Sequence, residues 1–146
     1  MSWTKLVKEN PDLAEFGEGR FASRVAYLAT VRKDGRPRVH PVTPILGDGD
    51  LFVFMDRTSP KGHDLKRTGR FAMHSSVENE DGGQGEFFIT GRATLIEDEE
   101  KRFIATKNAG YEISERYILF SFSLDEALGT VYEDDEVIRN RWKRSG

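Results

Sequence analysis

The sequence has no cysteine. Disulfides, thiolate metal sites and a cysteine nucleophile are thereby excluded. Histidine is scarce as well: His40, His63 and His74 are the only three. No two of them stand at the spacing of a metal-ligating pair, so no metal site is expected. The ligand and glycine spacing of a calcium loop is missing too. There is no apolar run long enough to cross a membrane, and the opening residues, MSWTKLVKENPDLAEF, do not read as a signal peptide. A surplus of basic charge is also missing. The 22 Lys and Arg against 25 Asp and Glu leave a formal charge of −3, which argues against nucleic-acid binding by bulk charge. These absences fit a cytoplasmic protein with neither membrane nor nucleic acid as partner.

What is present suits one domain over residues 1–146, with an N-terminal helical cap at about 1–20. Hydrophobic residues make up 37% and charged residues 32%. The core is therefore modest, as in a chain that shares apolar surface with a second copy of itself. Residues 2–9 read as a short helix interrupted by Asn10-Pro11, and Asp12–Phe16 as one further turn before Gly17 and Gly19. Trp3, Leu6, Leu13 and Phe16 face inward.

The remainder reads as strands joined by turns. Residues 25–31 form a near-continuous apolar, β-branched run, which is a buried strand. Asp34-Gly35 predicts a hairpin with a type I′ turn. The return strand, 36–44, carries Pro37, Pro41 and Pro44, so it belongs at an edge. Further strands are expected at 51–55, 71–75, 86–96, 117–122, 127–132 and 137–142. Gly91 inside the fifth of these eight marks a bulge or corner. Helices are expected at 60–67 and, capped by Asp98, up to Asn108, with Phe103 and Ile104 as apolar contacts. About eight strands joined mainly by hairpins describe a mainly β, antiparallel barrel.

One turn has chemical content. Arg57, Thr58, Ser59 and Lys61 cluster where a helix begins. Ser59 suits the N-cap and Pro60 the first helical position. A helix N-terminus presents unpaired N–H groups and partial positive charge, and with two hydroxyls and two cations it can cradle a phosphate. The same residues can equally be an ordinary capped helix. Ser59 has no partner base and is not read as a nucleophile. His40, on the proline-rich strand, suits either a cofactor contact and proton donor or a strand histidine bonded to backbone. No catalytic residue is identified.

The ordered set AYLATVRKDGRPRVHPV, LFVFMDRTSPKGHDL, EFFITGRATL and a terminal R-x-R-W resembles the pyridoxamine 5′-phosphate oxidase-like family of FMN-binding split β-barrels. That resemblance implies a homodimer with two FMN sites in the dimer groove. It places Ser59 and Lys61 on the flavin phosphate, with Arg57 and Thr58 beside them. It puts Arg24, Val25 and Ala26 near the phosphate or ribityl chain. His40, Pro41, Val42 and Thr43 come beside the ring, Phe54 and Met55 at its pyrimidine edge, and Arg141 and Trp142 near the partner's cofactor. Two departures stand out. Pro60 occupies the place of a second basic residue, and the C-terminal substrate-phosphate ligands of authentic pyridoxamine phosphate oxidases are missing. The implied function is an FMN-dependent oxidoreductase, of the flavin reductase or oxidase kind, acting on a small molecule with reduced nicotinamide as a donor. A deazaflavin-dependent reductase and a non-catalytic FMN- or haem-binding protein are the alternatives.

Overall fold

Eight strands alternate with four short helices in a computed structural model that describes residues 2–22 and 24–145. In chain order the elements are α1 (Ser2–Glu9), α2 (Pro11–Phe21), β1 (Ala26–Val31), β2 (Pro37–Val42), β3 (Ile45–Gly47) and β4 (Asp50–Asp56). They are followed by α3 (Pro60–Arg67), β5 (Arg70–Ser75), β6 (Glu86–Ile96), α4 (Glu99–Asn108), β7 (Tyr117–Glu133) and β8 (Glu136–Lys143). All strand pairs are antiparallel, in the order β2-β1-β5-β6-β7-β4-β3, with β8 added to β7. This is the antiparallel barrel that the strand pattern predicts, in the split form that the family resemblance implies. Its split lies in β7, whose first half pairs with β4 and whose second half pairs with β8. Among the described residues no helix is long and apolar enough to cross a membrane.

Local chemistry explains most boundaries. Asn10 caps α2 by accepting from the Leu13 N–H, with Pro11 at the first helical position. Strand β1 alternates buried Ala26, Leu28 and Thr30 with exposed or half-exposed neighbours, as a strand with one inward face must. The proline-bearing β2 lies at the sheet edge, pairing only with β1, where a missing N–H costs least.

Four expectations are corrected. First, α2 runs through Gly17 and Gly19 to Phe21 instead of stopping at Phe16. Packing overrides the glycines: the rings of Trp3, Phe16 and Phe21 all meet Phe87 edge-on. Second, the Asp34-Gly35 loop is not type I′, since only Gly35 has positive φ, at 88°. Gly35 N–H donates to the Arg32 carbonyl at 2.9 Å and Arg32 N–H to the Arg36 carbonyl at 2.8 Å, the three-residue hairpin loop that ends in a left-handed residue. The two-residue loop with both φ values positive occurs instead at Asp134-Asp135. Third, residues 117–122 and 127–132 are one continuous strand, and Ile45–Gly47 pairs with β4 as a strand of its own. Fourth, Phe103 is 66% exposed; Ile104 packs on the core as expected, beside the fully buried Ala105.

Two clusters form the core. The larger joins Trp3, Leu6 and Leu13 of the helices to the barrel interior; the smaller, around Phe52, Phe54 and Leu119, lies under α4. Gly91 sits at a register shift in β6, as a strand glycine suggested. A Cβ there would meet the Ser123 carbonyl oxygen at 1.8 Å, whereas one at Gly19 would meet nothing within 4 Å. Gly91→Ala is expected to lower stability by about 1–3 kcal/mol, and Gly19→Ala to raise it by up to about 1 kcal/mol through helix propensity. Urea unfolding midpoints of the two variants check both signs.

Candidate cofactor site

The site is built on how α3 is held. Asp64, 3% exposed, is on the buried face of this helix. Its Oδ2 accepts from Thr30 Oγ1 at 2.7 Å and from Arg38 Nε at 2.8 Å, and its Oδ1 from Arg67 Nη2 at 3.3 Å. Arg67 Nη2 also donates to the Val31 carbonyl. One carboxylate thus ties α3 to both strands of the first hairpin. Burial alone pushes the Asp64 carboxyl up, but hydrogen bonds from Arg38, Thr30 and Arg67, with the charge of Arg38, outweigh it and hold the group below the usual carboxylate range.

The N-terminus of α3 carries the turn singled out by sequence. Ser59 Oγ accepts from the Gly62 N–H at 3.2 Å. It therefore acts as the cap, and its O–H stays available to donate. Thr58 is committed differently: its N–H and its hydroxyl both donate to Asp56 Oδ1, at 2.9 and 2.7 Å. Asp56 also accepts from Arg116 Nε and Nη2, at 3.3 and 3.4 Å. The Thr58 N–H first, then its hydroxyl and Arg116, hold the Asp56 carboxyl well below the usual range. A carboxylate thus stands in the candidate phosphate turn with its charge engaged by Arg116. Arg57 is exposed, and Lys61 is half-buried.

The electrostatics bring β2 to this turn. Burial lowers the His40 pKa, and the charges of Lys61 and then Arg38 lower it further. Burial also lowers the Lys61 ammonium pKa, against the opposing pull of Asp56. The charges of Lys61 and Arg38 therefore both reach His40 and hold it toward its neutral form. Nearby, a shallow cavity of about 450 Å³ is lined by Arg32, Lys33, Arg38, His63 and Arg67 and by the carboxylates of Asp34 and Asp64, which pair with three of those arginines. Sequence reading did not single out Arg38, Asp64 or Arg67 for the site. The usable signal was the alternation that puts Arg38 and His40 on one face of β2, two residues apart.

The other candidate residues spread along the sheet. Ala26 pairs with Val42, and both side chains are buried. Arg24 and Val25 precede that end of β1, roughly 10–20 Å along the strand from the Leu28–Thr30 level where α3 packs. Arg24 is engaged by Glu78 at 2.6 Å, as is the buried Arg20 at 3.3 Å. Pro41 pairs with Tyr27 on the outer face, and Thr43 is half-buried past the end of β2. Phe54 and Met55 bury their side chains, so only their backbone can meet a ligand. Pairing with β3 stops at Phe52, and among the described residues no strand covers that edge of β4 beyond it. Trp142 is 7% exposed and donates through Nε1 to Glu9 at 2.8 Å, inside the main core. Arg141 is exposed, in a groove with Phe88 and Leu128.

The chain belongs to the family described as pyridoxamine 5′-phosphate oxidase, whose profile matches residues 13–138. A comparison with curated protein sequences gave no match. Solved structures share the fold. PhzG from Burkholderia lata 383, in complex with tetrahydrophenazine-1-carboxylic acid, is 19% identical over 98% of this chain and 87% of its own, at a TM-score of 0.68. A NimC/NimA family protein from Clostridium acetobutylicum is 17% identical over 97% and 94%, at 0.62. A heme binding protein from Mycobacterium smegmatis is 16% identical over 86% of this chain, at 0.65, and the chain spans only 57% of it.

Because the Asp64 pKa is depressed, its stabilising contribution is full above the unfolded value of about 3.9 and is lost as pH falls through the folded value. Asp64→Ala is expected to cost about 2–3 kcal/mol at pH 7. That is below the cost of breaking a fully buried pair, since the Arg38 and Arg67 side chains are 33% and 35% exposed. Urea titrations should show the gap to wild type closing below about pH 4.

Proposed function

We propose that the chain binds FMN and works as a homodimeric, flavin-dependent oxidoreductase on a small molecule. The observation that carries this reading is the start of α3, where Ser59 Oγ accepts from the Gly62 N–H and keeps its own hydrogen to donate, next to the half-buried Lys61, with the charges of Lys61 and of Arg38 on β2 both reaching His40. Such an arrangement attracts a phosphate dianion. The open backbone edge of β4 at Val53–Asp56 offers donors and acceptors for a ring edge. Bound flavin would supply the electron transfer. The chain supplies the phosphate cradle, the ring edge and exclusion of water, which needs no nucleophile or triad.

A second copy has a surface to meet. One cross-strand row, Pro41–Tyr27–His74–Phe88–Leu128–Arg141, crosses six strands on the outer face. Tyr27 and Val39 are 44% and 64% exposed beside it. Apolar exposure on this scale is what an interface between copies would cover. The haem-binding neighbour supports the fold more than the ligand: His74 Nδ1 already meets the Ser75 carbonyl at 2.6 Å, and its Nε2 faces Glu86.

The test is direct. Full-length protein mixed with FMN and freed of excess should retain flavin absorbance, and parallel fluorescence titration with a deazaflavin separates the two cofactors. Lys61→Ala should weaken FMN binding by about 1.5–3 kcal/mol, the scale of a charge-assisted bond. A colourless wild-type protein, or a variant of unchanged affinity, sinks the reading.

A further inference from the structure

A second cavity, of about 280 Å³, lies at the other end of β2. The end of α2, the β2–β3 link and the segment after α4 enclose it. Phe21, Pro44 and Ile45, all buried, form its apolar wall. Its polar side chains are Asn108, whose Nδ2 already donates to the Ile104 carbonyl at 2.8 Å, and three others: the Glu18 carboxylate, the Thr43 hydroxyl and the Tyr111 hydroxyl. Among the described residues no hydrogen bond or ion pair engages these three side-chain groups. Glu18 is the only charged residue in the lining. Burial, with some effect of Tyr117, raises the Tyr111 pKa, so its hydroxyl stays a donor.

An apolar wall with a few convergent polar groups is the build of a small-molecule site. The volume equals roughly nine water molecules at about 30 Å³ each, so it accommodates a single ring with a short substituent. A lone carboxylate among neutral donors and acceptors favours a cation and disfavours an anion. Thr43 lies three residues beyond His40, about 10 Å along the strand. The cavity therefore opens a ribityl-scale reach away from the basic turn.

We infer that this cavity binds a single-ring organic amine, its ring against Phe21, Pro44 and Ile45 and its ammonium group against Glu18. Its role as the seat of the flavin's small-molecule partner rests on the reading above; its occupancy does not. The test uses full-length protein with and without FMN, and benzylamine as the probe, with benzyl alcohol and benzoate as neutral and anionic comparators. Nitrogen–proton correlation spectra should show saturable shifts at Thr43, Leu46, Gly110 and Tyr111 with benzylamine and none with benzoate. Glu18 is exposed, so Glu18→Gln should fold, keep benzyl alcohol binding within about twofold and weaken benzylamine about tenfold, the scale of one charged hydrogen bond. No saturable shifts at these positions, equal binding of benzoate, or an unchanged Glu18→Gln variant overturns the inference. A protein that takes benzylamine but not FMN keeps the cavity and loses its role beside a flavin. One that takes FMN but not benzylamine loses only the cavity.

Discussion

The Asp64 carboxylate is the constraint on which the rest of the site depends. It is buried, and it joins the helix α3 to Thr30 of β1 and Arg38 of β2. An ionised group in that position is tolerable only while its partners stay in place. The geometry of the turn before α3 is therefore coupled to the position of the first hairpin. If α3 were shifted by a turn, Arg38 and Thr30 would lose their acceptor together, and Arg67 would lose the Val31 carbonyl. The proline-rich strand, which has few ladder bonds to hold it, is fixed from the side by Arg38.

That coupling has an electrostatic consequence. Arg38 neutralises Asp64 through Nε, and at the same time its charge reaches His40. Lys61 adds to the same field from α3. The opposing Asp56 is bound by Thr58 and Arg116. The balance leaves positive potential on one side of the turn and a satisfied carboxylate on the other. A helix N-terminus alone would be a weak attraction screened by water; the Lys61 ammonium beside it, with the Arg38 charge nearby, makes a directional one.

Much of the fold was legible because it rests on local rules. The β-branched run of β1, the prolines of β2, the Ser59-Pro60 helix start and the glycine in β6 all read correctly from sequence, whereas Asn10-Pro11 read as a break and is the capped start of α2. The errors have a common cause. Phe87 gathers three aromatic rings from the helices, and no window of sequence around Gly17 contains that information. The same holds for β7, whose change of partner from β4 to β8 keeps one long strand where composition suggests two. At the site, the turn was legible because capping chemistry is local. Arg38 and Asp64 were not, because they are 26 residues apart and meet only through the packing of α3 on the hairpin.

The central claim is that the turn before α3 recognises a phosphate carried by a flavin. Fluorescence titration of one protein preparation with FMN and with riboflavin, which lacks only the phosphate, isolates that group. The account predicts FMN binding about a hundredfold tighter than riboflavin, close to two charge-assisted bonds, with the difference shrinking as salt is raised. Equal affinity for the two, at low and high salt alike, would contradict it.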